Sequence, residues 1–225
     1  MTEPEDDQQP DRQEVTLPDD ERGFIERTMR ALELTQGVEI ARRYLAMNAF
    51  DGALTMLGLV LGGLITIDPA QPEIVFNALL LAAVGTSIAM AVSGFSGSYL
   101  AESAERDREV EEMGRAMLTD MSDSMYAKAT RTTSAVVAIV DGLAPAGAAL
   151  VIIIPLMLVP VGLIDVYTAF YTAILVCMAL LFLLGLFLGR VSRKSMWRYG
   201  AKTLLAGIVT AILMYFISFL TGAGG

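Results

Sequence analysis

Five stretches of this chain are long and apolar enough to cross a lipid bilayer, and that leaves few folds open. A helix rises about 1.5 Å per residue and the hydrocarbon core is about 30 Å thick, so roughly 20 mostly apolar residues span it. Residues 44–67, 74–100, 133–158, 167–189 and 200–221 qualify. Inside lipid every backbone N–H and C=O must be satisfied within the protein, which selects helices over open sheets. The expected fold is all-α, an integral membrane protein with five transmembrane helices.

The basic residues give the expected orientation. The segment before span 1 holds Arg12, Arg22, Arg27, Arg30, Arg42 and Arg43. The 2–3 connection holds Arg106, Arg108, Arg115, Lys128 and Arg131. The 4–5 connection holds Arg190, Arg193, Lys194, Arg198 and Lys202. These are all 16 Lys and Arg of the chain, and the 1–2 and 3–4 loops have none. With five spans the three basic segments share one side. The positive-inside rule makes that side the cytoplasm. The N-terminus is then cytoplasmic, the C-terminus outside, and a short cytoplasmic helical insertion separates helices 2 and 3.

Composition removes several function classes. There is no histidine, hence no imidazole base and no Zn–His site. The single cysteine, Cys177, lies in an apolar run, which excludes an internal disulfide framework and any CxxC motif. A net charge of −9 and a pI near 4.5 argue against nucleic acid as a partner. The N-terminus is acidic and lacks the basic region of a cleavable signal. No constellation of an enzyme is present, so the chain reads as a non-enzyme.

The organisation follows from these shifts in composition. Residues 1–21 carry nine acids, one base and three prolines, which predicts a disordered acidic tail. In residues 22–43, Ile25, Met29, Leu32 and Val38 approximate a helical stripe, which predicts an amphipathic interfacial helix. Residues 44–101 hold helices 1 and 2, residues 102–131 a cytoplasmic Glu/Met helical segment, and residues 132–222 helices 3–5. Pro145, Pro155 and Pro160 make span 3 irregular, with freed carbonyls lining a cavity or a kink set by packing. Gly58 and Gly62 in span 1, and Gly185 and Gly189 in span 4, form GxxxG pairs that permit close helix packing.

Two acids fall inside spans, Asp51 in span 1 and Asp141 in span 3, each followed by glycine. An ionised carboxylate at the bilayer centre costs about 2.5–3.5 kcal/mol on insertion scales. Either each lies near a span end, solvated or paired with an interfacial Arg, or both are oxygen ligands for a cation within the bundle.

The 2–3 connection carries a second acidic feature. Glu102, Glu105, Glu109 and Glu112 step by three, four and three, which puts four carboxylates on one helical face. Met113, Met117, Met121 and Met125 follow at steps of four, which gives a ridge of thioethers along the helix. The plain reading is a solvated face with a packing surface beside it. The functional reading is a cytoplasmic mouth that collects a divalent transition metal. Hard carboxylates suit Fe²⁺ and Mn²⁺, and no imidazole or thiolate is placed to favour zinc or copper.

These residues also carry a resemblance. Arg43 to Gly52, ending in Asp-Gly, resembles the first-span signature of the vacuolar iron transporter family. Tyr99-Leu100-Ala-Glu102-Ser-Ala-Glu105-Arg-Asp107 is similar to the end of its second span and the start of its cytoplasmic metal-binding helices. Gly142-Leu-Ala-Pro145 with Pro155 resembles its third-span Gly-x-x-Pro pattern, and Ala206-Gly207 through Gly222 its last span. The similarity covers roughly residues 40–222. It implies a five-helix homodimer that exports Fe²⁺, often Mn²⁺ too, from the cytoplasm in exchange for protons. It implies Asp51 in the ion path and metal binding by Glu102 and Glu105, with Glu109 and Glu112 following by spacing.

The chain departs from the family pattern at the end of span 2. Ser93, Gly97 and Tyr99 match, but Gly94 stands where a methionine is expected and Ser98 where a glutamate is expected. Asn48 replaces a span-1 glycine, and the insertion is much shorter than in iron-transporting members. Met90, one turn before Gly94, is the stand-in thioether, and Asp141 the stand-in carboxylate.

The expected function is thus a divalent-metal transporter of a prokaryotic plasma membrane, with no permanently bound cofactor and Fe²⁺ or Mn²⁺ as the transported ion. The lipid bilayer and a second copy are its expected partners. The competing reading is a non-transporting membrane protein that uses the Met ridge and acidic tail as a protein-docking surface.

Overall fold

The computed structural model describes residues 23–222, so the acidic segment over 1–21 lies outside the described residues. The element order is α1 (Phe24–Leu34), α2 (Gly37–Ile65), α3 (Pro72–Met117), α4 (Met125–Met157), α5 (Val166–Val191) and α6 (Met196–Thr221). Among the described residues there is no strand. The five helices α2 to α6 are long and apolar enough to cross a membrane.

Local chemistry sets the helix ends. Gln36 adopts a left-handed backbone (φ 54°) that breaks α1 from α2. Residues 37–43 therefore belong to the first turns of α2. Of the apolar stripe expected on the preceding segment, Leu32 is buried, whereas Met29 and Val38 are exposed. Pro72 opens α3 at the position where a missing N–H costs nothing. Ser124 caps α4 by accepting from the Ala127 N–H at 3.1 Å, and Asp165 caps α5 by accepting from the Thr168 N–H at 3.0 Å.

α4 is the central helix and packs against α1, α2, α3 and α5, while α6 packs on α5 and α2. The core holds Met56, Leu57 and Val60 from α2, Phe76 and Leu79 from α3, Ile152, Ile153 and Leu156 from α4, and Phe170 and Leu181 from α5. Phe76 meets Phe170 edge to face at 6.4 Å between centroids. The periphery is apolar as well: Leu81 is 75% exposed and Phe219 78%. α6 buries only Gly200, Gly207 and Ser218. On α6, large apolar residues outside and small ones against the bundle is the pattern of a helix solvated by lipid.

Glycine sets the closest helix crossings. A Cβ on Gly52 would lie 2.5 Å from the Pro145 carbonyl oxygen, so α2 and α4 touch backbone to backbone. A Cβ on Gly142 would lie 2.6 Å from the Ala91 oxygen, bringing α3 against α4. Of the two GxxxG pairs, Gly185 and Gly189 seat α6, whereas Gly58 has nothing near it.

Two sequence expectations change here. α4 runs helical from Met125 through both Pro145 and Pro155 to Met157, so span 3 is one continuous helix. Pro145 has no N–H for the carbonyl of Asp141 one turn earlier, and that freed oxygen packs against Gly94. The methionine ridge does not form as one helix. α3 stops after Met117, Leu118 takes a left-handed backbone (φ 54°), Met121 lies in the connection, and Met125 starts α4.

Candidate metal cleft

α2, α3 and α4 together wall a cleft of about 550 Å³. α2 contributes Asn48 and Asp51, one turn apart on the same face. α3 contributes Thr86, Met90, Ser93 and Gly97, whose steps of four, three and four make one helical stripe. α4 contributes Asp141 and Pro145, also one turn apart. The close crossings at Gly52, Gly94 and Gly142 bring these three stripes together.

Asp141 is the best-held polar group of the cleft. It is 7% exposed and accepts from both flanking helices: Asn48 Nδ2 donates to Oδ1 and Ser98 Oγ donates to Oδ2. Asn48 uses its other amide hydrogen on the Tyr44 carbonyl oxygen at 3.1 Å, which fixes the orientation of the side chain. Each carboxylate oxygen retains a lone pair for a further partner. Asp51 lines the same cleft and is exposed to it. Neither carboxylate is in an ion pair among the described residues. The idea that these acids pair with an interfacial Arg is therefore not what the fold provides.

Two carboxylates, the Asn48, Thr86, Ser93 and Ser98 oxygens and the Met90 sulfur are the donors that line the cleft. Oxygen ligands with one thioether are a donor set for a divalent cation of intermediate hardness. Among the described residues no three Asp, Glu or Cys side chains converge on one point. A cation here would complete its coordination with neutral oxygens, water or groups from a second copy.

The glutamate stripe lies on the extension of α3 beyond span 2, and arginine engages most of it. Glu102 is bonded by the Tyr44 hydroxyl at 3.3 Å and faces Arg106 Nε at 3.7 Å. Arg106 Nη1 donates to Glu109 at 3.0 Å, and the Tyr126 hydroxyl reaches the same carboxylate at 3.4 Å. Arg108 holds Glu112 at 2.9 Å. Glu105 is exposed. Arg106 is buried, and its Nε has no hydrogen-bond acceptor. The stripe and the cleft are thus separate features: Met90, Asp51 and Asp141 come together, and the glutamates lie further along α3.

Three of the groups that shape these two places gave no direct signal of their role in the sequence. Asn48 and Ser98 stood out only as departures from a family pattern, yet they position Asp141. Arg106 was legible from its spacing to Glu102 and Glu109, which are its i−4 and i+3 neighbours. The Tyr44 hydroxyl carried no local signal, because its partner is 58 residues away.

The sequence profile of the VIT family matches residues 111–218. Over 198 residues the chain is 30% identical to an uncharacterized protein of the archaeon Methanocaldococcus jannaschii, an alignment covering 86% of this chain and 96% of that protein. No solved structure matches the chain.

Proposed function

We propose, from the premise that this chain belongs to the VIT (vacuolar iron transporter) family, that it exports Fe²⁺ or Mn²⁺ from the cytoplasm across a prokaryotic plasma membrane. Membership makes it a multi-pass membrane protein and a metal-ion transporter. The identity of the ion, its direction and its coupling are our reading.

One observation carries that reading. Asp51 and Asp141 line one cleft within the spanning helices, and among the described residues no base pairs with either. Unpaired carboxylates at membrane depth are costly unless a cation or proton occupies them. In this proposal the ion exchanges water for the Asp51 carboxylate, the open oxygen positions of Asp141 and the Met90 sulfur. Return of protons to the same carboxylates releases it on the far side, since no histidine is present to carry them. Glu105 and the outer faces of Glu102, Glu109 and Glu112 attract the ion at the mouth. The N-terminus and the Arg-rich ends of the helices lie in the cytoplasm and the C-terminus outside, by the bias of the 16 bases. A second copy closes the open side of the cleft, completing the coordination that this chain leaves unfilled.

The test is Mn²⁺ and Fe²⁺ flux in proteoliposomes. Wild-type flux with loss in Asp51→Ala supports the proposal. Normal flux in Asp51→Ala removes the residue from the path. A folded protein with no flux for either ion would favour a docking role.

A further inference from the structure

Among the described residues the bases around the α5–α6 turn have no acidic partner. The chain contains no acid after Asp165, yet it carries Arg190, Arg193, Lys194, Arg198 and Lys202 there. None of the five is in an ion pair among the described residues. On the face where α6 meets α2, one of them, Lys202, lines an apolar groove of about 310 Å³. Met47, Phe50, Leu184 and Leu188 form its apolar walls, and Tyr199 and Lys202 stand at its lip. The Lys202 ammonium lies over the Tyr199 ring at 5.3 Å from the centroid, so its stem covers the aromatic face while the charge stays at the rim.

Helix register puts two more cations on the helix faces that carry groove residues, with the Arg43 guanidinium leaning over the Tyr44 ring 5.9 Å from its centroid. Arg198 precedes Lys202 by four residues on α6, and Arg43 precedes Met47 by four on α2, so each shares the face of its groove residue. Arg43 is exposed, and Glu39, one turn before it, forms no ion pair with it. Trp197, on another face of α6, packs against Phe182 at 5.9 Å between centroids and is 74% exposed, the placing of an aromatic anchor at a membrane interface.

We infer that this groove is a binding site for an anionic glycerophospholipid, with an acyl chain lying between α2, α5 and α6 and the phosphate held by Lys202, Arg198 and Arg43. The occupant follows from charge and position. An apolar slot on the lipid-facing side of the bundle admits hydrocarbon, and the unpaired bases at its mouth select a negative headgroup over a zwitterionic one. Basic pockets between spanning helices bind acidic headgroups in this way. The site is separate from the metal cleft, which α2, α3 and α4 form without α5 or α6.

The test is native mass spectrometry of the full chain in detergent, titrated with dioleoyl-phosphatidylglycerol or dioleoyl-phosphatidylcholine. Saturable binding of phosphatidylglycerol is expected at concentrations where phosphatidylcholine does not bind. Lys202→Gln and Arg198→Gln should each weaken it about fivefold, the effect of one base near an anionic surface. Arg131→Gln, an exposed base on α4, should leave it unchanged. Both substituted side chains are exposed, and unfolding curves without lipid confirm that the variants fold. Equal binding of the two lipids would overturn the site, as would an Arg131→Gln effect as large as that of Lys202→Gln. Saturable binding of glycerol 1-phosphate, which has the charge without the chain, at the same concentrations would also overturn it.

Discussion

Ser98 on α3 donates its hydroxyl hydrogen to the carboxylate of Asp141 on α4. Position 98 is where the family resemblance leads one to expect a glutamate. The hydroxyl points at a carboxylate supplied by the neighbouring helix, so the carboxylate of this wall of the cleft stands on α4 instead of α3. The exchange is local because Gly142 and Gly94 let α3 and α4 approach backbone to backbone.

This relationship predicts a rescue. Asp141→Ala should abolish metal flux, and adding Ser98→Glu to it should restore part of that flux by returning a carboxylate to α3. Flux assays on the two variants in matched liposomes check this. A double variant no better than the single one would show that α4, and not the charge alone, is required.

Asn48 positions Asp141 without being one of the two charged groups. Asn48→Ala should weaken Mn²⁺ binding by about 10–100-fold, the usual effect of losing an outer partner of a ligand. Asn48→Asp adds a charge in place of a donor and should not restore it. Mn²⁺ titration of the solubilised variants, with folding checked by thermal unfolding, measures both.

The glycine crossings predict opposite outcomes for similar substitutions. Gly52→Ala drives a methyl group into the Pro145 backbone and should cost about 1–3 kcal/mol. Gly58→Ala meets open space and should be neutral or slightly stabilising, as alanine is the better helix former. Unfolding of both variants in the same detergent tests the α2–α4 contact directly.

The cap of α5 should be pH-dependent. The Thr168 hydroxyl and N–H donate to Asp165 at 2.6 and 3.0 Å and hold its carboxyl below the usual carboxylate range. A depressed folded-state value stabilises the fold above the unfolded value near 4 and is lost as pH falls through the folded one. Asp165→Ala should therefore lower the melting temperature at pH 7. The difference from wild type should shrink as pH falls below about 4. Melting curves across that range check the sign.

The spans and the two intramembrane acids were legible because length, apolarity and charge are properties of contiguous residues. The partners of Asp141 were not, since Asn48 and Ser98 lie 93 and 43 residues away and only packing unites them. The broken methionine ridge has a different cause. Spacing by four counts residues without asking whether the helix continues. Here Asp120 accepts from the Ser122 N–H at 2.9 Å and Ser124 caps the next helix, and these local bonds compete with helical ones. The run Asp-Met-Ser-Asp-Ser from 120 to 124 contained that signal. The glutamate stripe was legible as a face, and its pairing with Arg106 by i,i+4 and i,i+3 spacing as well, while the Tyr44 and Tyr126 hydroxyls that join it needed the folded contacts.

The central claim is that Asp51 and Asp141 together hold the transported ion, and bound Mn²⁺ counted by electron paramagnetic resonance tests it most directly. Wild type, Asp51→Asn, Asp141→Asn and Glu105→Gln would be compared after folding is verified. Both aspartate variants are expected to lose the tightest Mn²⁺ while Glu105→Gln keeps it. Retention of that ion in both aspartate variants, with its loss in Glu105→Gln, would move the site to the α3 extension and contradict the account.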